Sequence, residues 1–245
     1  MTTRKVKNPN EKGGSGFIWA IVAIIAIALL VLAFIVFNGR SNQQAAVEEN
    51  MFDTTGITAT WSEDEEVIHL ASEESPEAPA ADLYEDFSCS YCGDLEVETG
   101  GEMIDALKAG DIQVELRPMV LLDQANVGHS TRSLSAMLAM FAHGDVNAAL
   151  NYRDYMFSNQ QDVYNRMELE DLAELAQSLG ASDAAVQDIR DGSYIETAQN
   201  MSAANQQRQA EIDPDGQVWT PRVAIDGETI PQEQRNEWVS VTANS

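Results

Sequence analysis

The longest unbroken apolar stretch covers residues 17–37 (FIWAIVAIIAIALLVLAFIVF), with no charge, proline or glycine. At a helical rise of about 1.5 Å per residue it is about 31 Å long, close to the hydrocarbon thickness of a bilayer. A cleavable signal has a shorter apolar region, about 7–15 residues, ending in small residues; here Asn38-Gly39-Arg40-Ser41 follows. The pattern predicts one membrane-spanning helix over 17–37, preceded by a short tail (1–16) and followed by a polar tether (38–50). Beyond residue 50 the pattern becomes periodic. Segments 56–61 and 66–71 read as strands, separated by an acidic turn, with a proline-bearing loop over 72–80. Segment 82–87 reads as a strand feeding a helix over 91–109. In that helix Leu95, Ile104 and Leu107 share a face, and Lys108 and Gly110 signal its end. Gly100-Gly101 is expected to kink or loosen it. Segment 112–119 alternates and reads as a strand interrupted by Pro118. Strand, helix, strand implies a parallel pair with a crossover helix.

A block of helices follows. Segment 131–142 carries Leu134, Met137, Leu138, Met140 and Phe141 and is apolar enough to be buried nearly all round. Segments 146–157, 169–179, 183–189 and 195–211 are further helices, with Gly180 and Ser182 as end signals. Asp213-Pro214-Asp215-Gly216 is a turn. Segments 218–225 and 228–230 flank Asp226-Gly227, the strongest hairpin signal in the chain, and 232–239 reads as a last helix. The order is βαβ, then helices, then a hairpin. It places the fold in the α/β or α+β class, with a central mixed sheet.

Charge adds a direction. The chain holds 40 acidic and 14 basic residues, a formal net charge of −26. Four of the bases, Arg4, Lys5, Lys7 and Lys12, precede the apolar run, and only Arg40 follows it closely. That bias places the N-terminus in the cytoplasm and everything after about residue 40 outside, the topology of a single-pass cell-membrane protein with residues 17–37 in the lipid bilayer. A domain so acidic repels polyphosphate, so nucleic acid is excluded as a partner; the bland reading of the acidity is solubility.

The chain has two cysteines, Cys89 and Cys92. A bridge between residues three apart removes little unfolded-chain entropy, so it is a poor structural staple. A zinc site needs about four ligands, and His69, His129 and His143 lie at no zinc-finger spacing from the cysteines. A redox pair is the third reading. It suits the place of Cys89-Ser90-Tyr91-Cys92 at a strand-to-helix junction, where free N–H groups and the positive end of the helix dipole stabilise a thiolate. Cys89 would be the exposed nucleophile and Cys92, one turn in, the resolving thiol. Phosphate loops, HExxH and GxSxG are absent.

Tyr84-Glu85-Asp86-Phe87-Ser88-Cys89-Ser90-Tyr91-Cys92-Gly93 resembles the active-site strand and turn of membrane-anchored DsbA-like thioredoxin-fold proteins of bacteria, actinobacteria among them. Trp219-Thr220-Pro221-Arg222-Val223-Ala224-Ile225-Asp226-Gly227 resembles their second landmark, and residues 131–211 resemble their helical insertion. The resemblance implies a thioredoxin-like α/β fold over 51–245 with catalytic Cys89 and Cys92. It also implies a cis Pro221 packed beside them and substrate binding at Thr220 and Pro221. Ser90 and Tyr91, which stand where relatives carry proline and histidine, would tune the pKa of Cys89. Leu83 stands where many relatives bury an acid, and Glu85 and Asp86 are expected to be solvated; His129 is expected at the surface or as a cap. The activity implied is dithiol–disulfide exchange on thiols of secreted or surface proteins. It needs no cofactor beyond a Cys89–Cys92 disulfide but does need a membrane partner that re-oxidises the pair. The alternatives are a reductase or isomerase of the same fold, with a partner that reduces the pair, and a non-catalytic anchored scaffold domain.

Overall fold

The central strand β3 (Ala80–Glu85) is buried along nearly its whole length, on both faces. It pairs in parallel with β4 (Gln113–Pro118), Leu83 opposite Leu116, and antiparallel with β5 (Arg222–Ile225), Leu83 opposite Val223. Strands β1 (Ile57–Thr60) and β2 (Ile68–Ser72) extend the β4 side, and β6 (Glu228–Thr229) extends the other, in the order β1-β2-β4-β3-β5-β6. The computed structural model describes residues 19–25, 51–62, 66–75, 77–124 and 126–245, and residues 50–245 form one unit. Residues 19–25 are helical. No helix among the described residues is long and apolar enough to cross a membrane. The rest of the span expected at 17–37, and the tether at 38–50, lie outside the described residues.

The crossover from β3 to β4 is α1 (Ser90–Ala109). It ends at Gly110, whose φ of 73° lets its N–H reach the Ala106 and Leu107 carbonyls. The helix runs unbroken through Gly100-Gly101. The reason is tertiary: a Cβ on Gly100 would lie 2.5 Å from Glu96 Oε1, so the missing side chain makes room for a carboxylate. Because side chains alternate along a strand, Leu83 and Glu85 face α1, whereas Asp82 and Tyr84 face α7 (Ile195–Ile212). On that second face Asp82 pairs with Arg117, which reaches Asn205 of α7 at 3.5 Å.

Between β4 and β5 lie α2 (His129–Ala142), α3 (Val146–Ser158), α4 (Gln160–Val163), α5 (Leu169–Ser178) and α6 (Asp183–Asp191), then α7. Helix α2 is buried along almost its whole length and packs against α3, α5, α6 and α7, so it is the core of this block. Burying a side chain such as Leu134 or Met137 is worth about 1.5–3 kcal/mol. The short α4 has no counterpart in the sequence pattern. The expected strand over 218–225 is regular only from Arg222, and Pro118 closes β4 instead of interrupting it. At the hairpin, Asp226 and Gly227 both have positive φ, 52° and 80°, as a two-residue turn of this hand requires. Beyond it a 3₁₀ turn, Gln232–Glu237, leads into α8 (Trp238–Ala243).

Candidate active site

The turn between β3 and α1 is held by side chains from distant elements. Asp86 accepts from the Ser88 N–H at 2.8 Å, from the Leu122 N–H at 3.0 Å and from the Ser130 hydroxyl. Gln160 Nε2 donates to the Phe87 and Cys89 carbonyls at 2.7 and 3.1 Å. So fixed, Cys89 occupies the N-cap of α1 with extended backbone (φ −83°, ψ 114°). No side chain caps this helix and its first turn holds no acid, so its positive end is left to the Cys89 sulfur.

Both cysteines are free thiols. Cys89, expected to be exposed, is only 7% so; the Thr220 carbonyl lies 3.3 Å from its sulfur and accepts from the thiol. Thr220 and Pro221 therefore meet the cysteine turn across 131 residues of sequence, because β5 pairs with β3 and carries them there. The Thr220-Pro221 peptide is cis. Pro221 also lines a small cavity beside Cys92.

The Cys89 thiol is lowered from 9.0 to about 6, first by a hydrogen bond from the Cys92 thiol. The Thr220 side chain and the N–H groups of Cys92 and Tyr91 add to this, against the cost of burial. Tyr91 itself is 62% exposed and Ser90 is exposed, so what this turn supplies at Tyr91 is backbone. Burial pushes the Cys92 thiol well up, and the neighbouring Cys89 adds to the effect. At pH 7 a pKa of about 6 leaves about nine-tenths of Cys89 as thiolate, whereas a free cysteine at about 8.5 is only a few per cent ionised. The pair is thus one anionic nucleophile with a protonated thiol behind it.

Glu85 and Asp86, expected to be solvated, are 2% and 1% exposed. Alternation along β3 turns Glu85 to the same side as Leu83, toward α1. There Arg153 of α3 binds Glu85 through Nε, at 2.9 and 3.0 Å, and through its terminal nitrogen at 2.6 Å; its other nitrogen binds Glu96. Leu83, Glu85, Cys92, Glu96, Arg153 and Trp238 are among the residues around the cavity, whose volume of about 10 Å³ suits about one water. Desolvation pushes the Glu85 carboxyl up despite Arg153. The neighbouring Glu96 charge adds to this and favours retention of a proton on Glu85. Leu83, which offers no acid, lines the same cavity as these two carboxylates.

Sequence reasoning missed Glu96, Arg153 and Gln160. Glu96 was within reach, since it lies four residues after Cys92 and hence on the same helix face; for Arg153 no local signal exists. His129 is buried, not superficial, and its Nε2 has no partner. Burial lowers its pKa to about 4, so it is neutral near pH 7, edge-on to Tyr164 at 5.4 Å.

A strand-to-helix CxxC turn, facing a Thr-Pro segment on an adjacent antiparallel strand and interrupted by a helical block, defines a thioredoxin-like domain. The Thioredoxin family matches residues 75–242, and the chain belongs to that family. It is similar to MdbA, a thiol-disulfide oxidoreductase from Corynebacterium matruchotii, at 31% identity and a TM-score of 0.76, covering 82% of this chain and 99% of that one. MdbA from Corynebacterium diphtheriae aligns at 32% identity and a TM-score of 0.74, covering 80% and 98%. DsbA from Mycobacterium tuberculosis, at 20% identity and a TM-score of 0.57 over 73% and 100%, shares the fold. No curated protein sequence matches the chain.

Proposed function

We propose that this protein introduces disulfides into proteins outside the cytoplasmic membrane, through a Cys89–Cys92 disulfide that serves as its only redox group. That it is a thiol–disulfide oxidoreductase follows from its family and from its corynebacterial relatives. The observation that carries the direction is the split between the two thiols, Cys89 at about 6 and Cys92 pushed well up. Stabilising Cys89 as an anion favours the reduced form, which makes the disulfide an oxidant. A substrate thiolate attacks the sulfur of Cys89, the Cys89–Cys92 bond breaks, and Cys92 departs as a thiolate. A proton held on Glu85 then reaches Cys92 across the cavity, restoring the neutral thiol that its burial favours. The second substrate thiolate attacks the substrate sulfur of the mixed disulfide. Cys89 leaves as a stable thiolate, and the substrate is oxidised by two electrons. The Thr220 and Pro221 backbone lies alongside for an extended substrate.

In this reading the apolar run at 17–37 anchors the chain, with its N-terminus in the cytoplasm. A separate membrane partner takes the two electrons to regenerate the disulfide. The anchor keeps the domain near both that partner and newly secreted thiols. Equilibrating the full-length protein with glutathione tests the direction: a potential near −120 mV supports oxidation, and one near −270 mV assigns the reductase role instead. Cys89→Ser should abolish exchange, whereas Cys92→Ser should accumulate mixed disulfides with substrates through Cys89, visible by mass spectrometry. Adducts formed through Cys92 would overturn the assignment.

A further inference from the structure

Arg222 is the residue after Pro221, 2% exposed, and the redox chemistry has no use for its charge. Its guanidinium joins three pieces of chain. Nε donates to the Thr229 hydroxyl in β6 at 2.6 Å. One terminal nitrogen reaches the Gln209 carbonyl in α7 and the Gln217 carbonyl in the loop, both at 3.5 Å, and lies 3.4 Å from the Asp213 carboxylate. The central carbon of the guanidinium lies over the Trp219 ring, 4.2 Å from its centre. Asp213 in turn accepts from the N–H groups of Asp215 and Gln217, and Gln209 Oε1 accepts from the Trp219 N–H. Three of these contacts, with Asp213, Gln217 and Trp219, thus fall on the segment 213–219, which leads into Thr220, whose carbonyl meets Cys89, and those with Thr229 and Gln209 tie that segment to β6 and α7. Burying a cation beside a single carboxylate is costly, and an apolar residue of that size would fill the space. What an apolar residue would not do is hold three strands of chain and the Trp219 ring at fixed angles.

We infer that Arg222 is a positioning residue for the peptide substrate: it sets the segment Gln217–Thr220 so that Trp219 and the Thr220 backbone form one wall of the substrate site beside Cys89. Half-buried Trp219, stacked on the guanidinium through one face, is free to offer its remaining surface to an apolar side chain of the substrate. The inference rests on the exchange activity proposed above.

The test uses the oxidised full-length chain under single-turnover conditions, with rising concentrations of a peptide carrying two thiols and, separately, with dithiothreitol, which needs no peptide wall. In Arg222→Met the half-saturating peptide concentration should rise about tenfold, roughly one net hydrogen bond's worth of binding. The maximal rate and the dithiothreitol rate should stay within about twofold of wild type. Arg222→Lys, which restores the charge beside Asp213 but not the flat stack, should fall between the two. If Arg222→Met does not fold, Trp219→Leu gives the same reading from the half-exposed side of the stack. Unchanged peptide saturation, or equal loss with peptide and dithiothreitol, would overturn the inference and leave Arg222 a purely structural cation. Failure of the wild-type disulfide to react with either thiol would instead refute the exchange reading.

Discussion

Replacing Cys92 by alanine removes the largest single influence that lowers the Cys89 pKa, the hydrogen bond from the Cys92 thiol. A hydrogen bond to a charged group is worth about 1.5–3 kcal/mol, and each pKa unit corresponds to about 1.4 kcal/mol. The Cys89 pKa should therefore rise from about 6 to roughly 7–8 in Cys92→Ala, the helix end and the Tyr91 backbone N–H supplying the rest. At pH 6 the thiolate fraction should drop from about half to roughly 1–10%. Titrating the 240 nm thiolate absorbance, or the rate of alkylation by iodoacetamide, measures it; in the wild type Cys92 stays silent across this range because its thiol is pushed well up. Cys92→Ser is the control, since a hydroxyl still donates, and its midpoint should stay near that of the wild type. A folded pKa below the unfolded value stabilises the reduced protein above the unfolded pKa, and that stability is lost as pH falls through about 6. The melting temperature of reduced wild type relative to reduced Cys92→Ala should accordingly shrink between pH 8 and pH 5. A midpoint still near 6 in the alanine variant, or a serine variant displaced as far as alanine, would refute this account of the nucleophile.

The buried charges give two further expectations. Arg153→Met leaves Glu85 and Glu96 buried without a counter-charge and should cost about 3–5 kcal/mol in urea unfolding, part of it recovered when both acids are also changed to glutamine; a loss under about 1 kcal/mol would show that water already reaches them. Gly100→Ala would gain about 0.5–1 kcal/mol in an ordinary helix. Here its Cβ would displace the Glu96 carboxylate, so a net loss of about 1–3 kcal/mol is expected, and a stabilised variant in the same melts would contradict that placement.

Alternation and helical spacing read from the sequence place β3, α1 and β4 and their parallel crossover. The Asp226-Gly227 turn announces the hairpin, and the position of Cys89-Ser90-Tyr91-Cys92 at the start of a helix points to a stabilised thiolate. Each of these depends on interactions within a few residues, which local chemistry decides. The charges behind Cys92 do not. Glu85 reads as a solvated acid because its partner Arg153 lies 68 residues away, and only the packing of α3 against α1 brings them together. Gly100-Gly101 reads as a weak point in the helix for the same reason, since the space a glycine leaves has meaning only once Glu96 is drawn toward Arg153 to fill it. The contact of Thr220 with Cys89 depends on β5 entering the sheet beside β3, after a helical block that the intervening sequence pattern leaves unplaced. Short-range propensities determined the elements and the nucleophile. Desolvation and its compensation by distant charges, which decide the second thiol and the substrate wall, exist only once the chain has closed on itself.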